Sequence, residues 1–317
     1  MKLRLLLVLL KVSTLLIAPP GKGFIPRPVA PLYGIFDNKK ANHLIERLAQ
    51  ERNFTPTLQG SLFPLELVAC DPNRRLFQIA ATQQGVSGRC GWHALINTIS
   101  MLKLMECYAT ILKTTNKENI IQHTQALLDA TALITTDRKT TLCDQLWPHI
   151  QCIRQALKIR AHRDEEGLIL EEISHLIPRA ASLYLPTQLP TEPLTSLISV
   201  AHANEWGAGT ITPPWLQTLI DHCHTSKNFI HGFIILYNTA STTGFAGSKQ
   251  RNPHYISVVI VKKRGTVWAL ITNSMPDIVI NRAFIQQFVA LFNQEDPASS
   301  HADTASCAQG APRKTAL

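Results

Sequence analysis

Apolar residues crowd every turn of residues 92–112, where Leu95, Ile96, Ile99, Leu102, Leu104, Met105, Ile111 and Leu112 recur at mixed three- and four-residue spacings with further apolar positions between them. This pattern predicts a helix buried nearly all round, central to its domain. Ahead of it, residues 38–52 form an amphipathic stretch with Leu44, Ile45 and Leu48 on one face and Asp37 or Asn38 as the cap. Short apolar runs at 65–69 and 76–80 flank the turn signal Asp71-Pro72-Asn73 and predict a hairpin. Beyond the central helix, 117–132, 141–159 and 165–176 show helical spacing, with Pro148 expected to start or kink the second of them. Residues 186–193 and 203–209 read as loops, and 215–222 as a short helix behind Pro213-Pro214.

The pattern changes at Phe229. Residues 229–238, 255–262 and 266–272 are rich in Ile, Val, Tyr and Trp and predict consecutive strands of an antiparallel sheet. A polar, Gly-containing loop joins the first two, and 284–292 reads as a last helix. Residues 295–317 hold few large apolar side chains and are expected to be a disordered tail. At the other end, the basic start and apolar stretch of 1–18 resemble a secretory signal, so the protein is expected to be secreted or exported. The alternative is an uncleaved anchor or a buried helix, and any membrane attachment would run through that segment. The expected organisation is a signal-like segment at 1–20, a linker at 21–36, one domain at 37–294 with a helical insert at about 115–225, and the tail.

Composition changes this picture little. A chain of 317 residues with 45% hydrophobic content can bury a sizeable core. The net charge of +9 comes from scattered Lys and Arg, without an aromatic-interleaved basic cluster or zinc-finger spacing, so nucleic acid is not an expected partner. Seven cysteines, at 70, 90, 107, 143, 152, 223 and 307, leave at least one thiol without an intramolecular partner. None forms a C-x-x-C pair, and Asp221-His222-Cys223-His224 lacks a second cluster at ligand spacing. No metal or cofactor is expected, and disulfides among the six cysteines other than Cys90 stay open.

Candidate chemistry centres on Cys90, at the start of the central helix, where partial positive charge and free N–H groups favour a thiolate. Of twelve histidines, His254 is the best placed to serve it, because it follows Asn252-Pro253 at the mouth of a strand. His93, three residues after Cys90, is a rival base, though a satisfied and partly buried role suits it better. A two-residue turn at Lys263-Arg264 would set Asn273 opposite His254, on the same face and within reach of the imidazole. A bulged three-residue turn ending at Gly265 would set Ser274 there instead, and Asp277 is a further fallback. Gln84 precedes Cys90 by six residues, so its amide and the Cys90 N–H could form an oxyanion hole. Glu205 and Trp206, in the 203–209 loop, are candidate substrate contacts.

The run Q-x5-C-G-W at a helix start, then H-Y-I-S-V-V and L-I-T-N-S on successive strands, resembles the papain-like cysteine peptidases in the order Gln, Cys, His, Asn. The spacing of Cys90, His93, Leu95 and Asn97 further resembles the Josephin-type deubiquitinases, and the bacteriocin-processing peptidases share part of the pattern. The resemblance implies an α+β papain-like fold, a helical lobe with a central Cys-bearing helix packed on an antiparallel sheet. It also implies a thiol peptidase or isopeptidase in which Cys90 is nucleophile, His254 general base and acid, Asn273 the orienting residue and Gln84 the oxyanion donor. His254 would hold Cys90 as the thiolate of an ion pair. The implied partner is ubiquitin, a ubiquitin-like protein or a peptide, met after export toward a host cell. Alternatives are another Cys-His acyl-transfer enzyme, such as a transglutaminase or leader-peptide peptidase, or an inactive papain-like binding module.

Overall fold

A computed structural model describes residues 38–51, 61–62, 65–71, 75–79, 81, 89–135, 139–158, 167–184, 197–203, 212–239, 252–275 and 282–293. The signal-like segment, the linker, the tail, Gln84, Asp277, and Glu205 with Trp206 lie outside these residues. In chain order the helices are α1 (Lys39–Glu51), α2 (Cys90–Lys113), α3 (Lys117–Thr135), α4 (Lys139–Ala156), α5 (Leu170–Tyr184), α6 (Pro214–Thr225) and α7 (Arg282–Asn293). The strands are β1 (Ser61–Leu62), β2 (Leu65–Asp71), β3 (Leu76–Ile79), β4 (Ile198–His202), β5 (Asn228–Thr239), β6 (Asn252–Lys263) and β7 (Thr266–Thr272). The fold is therefore α+β, as expected.

The sheet differs from the expected one. Its order is β1-β2-β3-β7-β6-β5-β4, and two of its pairings, β3 with β7 and β4 with β5, are parallel. The expected antiparallel sheet is corrected to a mixed one. The physical reason is topological: β4 reaches β5 through α6, a helical crossover that returns the strand in parallel, and β3 meets β7 only after helices α2 to α6 and the strands β4, β5 and β6 have intervened. Strand β4 itself was not anticipated, because its sequence Ile-Ser-Val-Ala-His is short and follows a proline-studded stretch.

Both faces of the sheet are covered. Val259, Val261, Leu270, Phe77 and Ile79 pack against Met101, Leu102, Leu104 and Met105 of α2, with α1 and α3 behind. Ile256, Val258, Ile260, Phe233 and Ile235 face α6 and α7 on the other side, against Leu216, Ile220, Phe288 and Phe292. A strand covered on both faces has no polar side to show, which is why residues 255–261 of β6 are all buried.

Helix α2 lies on the sheet with almost its whole circumference buried, and it is the one described helix long and apolar enough to cross a membrane. Its burial inside the protein identifies it as the core helix the pattern predicts. Small and hydroxyl side chains let it come close. A Cβ on Gly232 of β5 would lie 2.5 Å from Thr98 Cγ2 and 3.2 Å from Leu102 Cδ1. Beside it, the Thr98 and Ser257 hydroxyls share a hydrogen bond of 2.7 Å between α2 and β6.

The hairpin expected at residues 65–80 forms, with Asp71 paired to Leu76. Asn38 is the cap of α1, accepting the Ala41 N–H at 3.0 Å. Pro148 and Pro178 both sit inside helices, α4 and α5. Cys90, Cys107, Cys143, Cys152 and Cys223 are all free thiols, so no disulfide joins any two of these five.

Two outcomes follow. Gly232→Val should destabilise the protein by about 1–3 kcal/mol, the cost of overpacking a closed contact, read as a lower urea midpoint. His231 is buried between Phe229 and Phe233, its Nε2 is 2.9 Å from Ser199 Oγ, and burial pushes its pKa down from 6.5 to about 4. The unfolded chain thus binds a proton that the folded chain refuses, so stability is present above pH 6.5 and falls as pH drops toward 4. The loss should approach about 3 kcal/mol and be largely absent in His231→Gln, as measured by urea unfolding across that range.

Candidate active site

Three elements meet at one end of the sheet. Strands β3, β4, β5 and β7 all end there and β6 begins there, since Tyr237 of β5 pairs with His254 and Thr272 of β7 pairs with Ser257. Helix α2 starts at the same end. Its first residue is Cys90, buried and packed in one cluster with Tyr255, Leu168 and Ile173.

The β6–β7 turn consists of Arg264 and Gly265, with φ of +53° and +82°, and Lys263 pairs with Thr266. Two central residues with positive φ mark the type I′ turn that matches strand twist. The expected turn at Lys263-Arg264 is thus corrected by one position and the pairing register by two, so the position facing His254 across the ladder is that of Met275. A shift of two residues keeps every side chain on its original face. Asn273 therefore remains on the side of His254 and reaches it diagonally.

The contact is short. His254 Nε2 lies 2.7 Å from Asn273 Oδ1, with both side chains buried. Asn273 is itself held by the chain just beyond β7: its Oδ1 accepts the Met275 N–H at 3.0 Å and its Nδ2 donates to the Met275 carbonyl at 2.7 Å. These two bonds fix which end of the amide is oxygen, because reversing it would set two donors against each other. An oxygen facing Nε2 requires Nε2 to carry the proton, leaving Nδ1 as the basic nitrogen in neutral His254. Ser274 is also buried, and His254 donates its Nε2–H to Asn273 Oδ1.

Cys90 comes to the same strand through the backbone. The Tyr255 N–H hydrogen-bonds its sulfur, and the N–H groups of Gly91 and Cys90 also face it. The sulfur meets β6 one residue from His254, beyond the point where the β6–β7 ladder stops. Tyr255 packs on the α2 side, whereas His254 continues the row of Ile256 and Val258 on the opposite face. Cys90 belongs to the cluster on the Tyr255 side and meets β6 at its backbone.

Desolvation works against the expected ion pair. Burial raises the Cys90 thiol, and the three N–H groups only partly offset that. Burial likewise lowers His254, with the Asn273 hydrogen bond pulling it back up. Both shifts favour the neutral forms of the thiol and the imidazole, because desolvation penalises each charged form.

One wall of the site comes from the helical region, which residue patterns alone did not connect to Cys90. A Cβ on Gly91 would lie 3.1 Å from Leu168 Cβ, 3.3 Å from Ile173 Cδ1 and 3.4 Å from Tyr255 Cδ2. This wall is pinned by the buried Glu172, which pairs with Arg154 and accepts the Ile169 N–H at 3.0 Å, while Arg154 also donates to the Gly167 carbonyl at 2.8 Å. The glycine directly after the cysteine was the one sequence signal for such close packing. His93 is buried along α2. Among the described residues no three His, Cys, Asp or Glu side chains are grouped to hold a metal ion.

No protein-family model, curated protein or solved structure matches this chain.

Asn273→Ala removes the acceptor that favours the charged ring, so the His254 pKa should fall further below 6.5, as followed by NMR titration of the ring protons. The same change should cost about 1–3 kcal/mol in urea unfolding, since it strands buried partners at His254 and Met275.

Proposed function

We propose that the protein is a cysteine peptidase or isopeptidase with a papain-like arrangement, using Cys90, His254 and Asn273. The observation that carries this reading is the His254–Asn273 hydrogen bond at the start of the strand whose next backbone N–H meets the Cys90 sulfur. The amide fixes the tautomer, and the tautomer presents a basic nitrogen for the thiol proton.

The reaction starts from the neutral pair. As the Cys90 sulfur attacks an amide or isopeptide carbonyl, its proton passes to His254 Nδ1, and the developing imidazolium is supported by Asn273 Oδ1. The tetrahedral oxyanion is met by N–H groups at the start of α2, with Gln84 proposed as a second donor. His254 then protonates the leaving amine, the acyl-enzyme forms, and a water activated by the same ring releases the product acid. A raised thiol pKa makes this general-base route preferable to a standing thiolate.

Ubiquitin or a ubiquitin-like tail is the proposed substrate class. Such a tail is basic, as is this chain, so recognition needs a local acidic group. Glu171, exposed in the first turn of α5, supports this reading: burial chiefly raises the Tyr255 hydroxyl beside the site, and Cys90, Glu171 and Glu172 add to the rise. The burial of Cys90 is the observation that favours the alternative of an inactive papain-like binding module.

A ubiquitin C-terminal electrophile probe tests the proposal. The wild-type protein should gain the probe mass and Cys90→Ala should not, while Asn273→Ala should react about tenfold to a hundredfold more slowly by intact-mass time course. A folded wild-type protein that forms no adduct with this probe, and turns over no peptide substrate, would remove both the substrate class and the peptidase.

A further inference from the structure

The opposite end of the sheet carries a second feature that does not depend on the thiol chemistry. A cavity of about 510 Å³ lies between the end of α6, the start of β5 and the β6–β7 turn, lined by His224, Ser226, Lys227, Lys262, Arg264 and their neighbours. Lys263 is next to this lining, in the strand pair that joins it to Asn228. The sequence scatters its basic residues, but the fold collects Lys227, Lys262, Lys263 and Arg264 here, and among the described residues no carboxylate lines the cavity.

The helix end would by itself repel an anion, since its exposed carbonyls carry partial negative charge. Lys262 answers that charge: its Nζ donates to the Cys223 carbonyl at 2.6 Å and to the His224 carbonyl at 3.0 Å. Lys227 and the Arg264 guanidinium are exposed at the same opening, above carbonyls that Lys262 has already neutralised. The Arg264 backbone is held at φ +53° in a tight turn, so its side chain projects from a rigid point instead of a loose loop.

We infer that this cavity binds a small phosphorylated ligand. Lys227 supplies a point charge, Arg264 supplies the planar fork that matches phosphoryl oxygens, and Ser226 adds a hydroxyl, while Lys262 offsets the helix carbonyls behind them. The volume exceeds what a single phosphate needs and suits a ligand with more than one phosphoryl group. Among the described residues no Phe, Tyr or Trp lines the cavity and His224 brings its one ring, so recognition falls chiefly to the phosphates.

Inorganic pyrophosphate is the probe, titrated into the full chain by calorimetry at constant ionic strength, with sulfate in a parallel arm. Pyrophosphate should bind saturably to one site, and Lys227→Glu and Arg264→Glu should each weaken it by about tenfold or more, while Lys40→Glu, at an exposed position of α1, leaves it unchanged. Both cavity residues are exposed, so the variants should keep the wild-type unfolding midpoint. Heat that does not saturate, sulfate binding as tightly as pyrophosphate, or equal weakening by Lys40→Glu would each overturn the site.

Discussion

The close seating of α2 on the sheet is the constraint on which the rest depends. A helix buried nearly all round cannot choose its orientation by showing a polar face to water, so shape must set it. Gly232 beneath Thr98 and Leu102 is a point where the fit admits no further atom, and Gly91 against Leu168 and Ile173 leaves little room for one. The Thr98–Ser257 bond fixes the helix along β6 between them. With both the angle and the longitudinal position set, the first residue of the helix falls at the first turn of strand beyond the end of β7. The site is a consequence of packing before it is a matter of chemistry.

That packing also decides the electrostatics of the thiol. A helix N-terminus favours a thiolate through its N–H groups, and Cys90 does have three of them nearby, from Cys90, Gly91 and Tyr255. Yet the same close approach strips water from the sulfur, and desolvation is the larger effect. Position in sequence announces the donors but not the dryness of the pocket they sit in. His254 shows the matching case: its partner amide was legible, while the burial that lowers it was not.

Periodicity in the chain was enough for the elements and not for their arrangement. The buried helix, the 65–79 hairpin and strands β5 to β7 emerge from local patterns, because each pattern reports which side of its own backbone is dry. Strand β4 was missed, and with it the parallel pair at that edge, since five residues carry too little periodicity and pairing direction is set by distant connections. The turn at Arg264-Gly265 was misjudged by one residue, because Lys263-Arg264 and Arg264-Gly265 differ only in which residues accept positive φ. The face of Asn273 survived that error because the register moved by an even number of residues, so parity was kept. The wall from residues 167–173 is of another kind: it joins segments far apart in sequence, and nothing local in either encodes the contact.

The mixed sheet also separates two chemical environments that an all-antiparallel meander would have interleaved. Because β3, β4, β5 and β7 run one way and β6 runs back, one end gathers the strand termini that lead to His254 and Asn273, and the other gathers the tight turn and the end of α6. The first end is dry, with neutral groups held by amide and backbone bonds. The second is wet and cationic, with a lysine already committed to helix carbonyls. Strand β6 spans both, from His254 to Lys263, at about 3.3 Å per residue. At that length the charges at the turn lie more than two Debye lengths from the imidazole at physiological salt, so the basic end cannot set the protonation of His254. Whatever tunes the ring has to be local: the burial around it, and the single amide of Asn273.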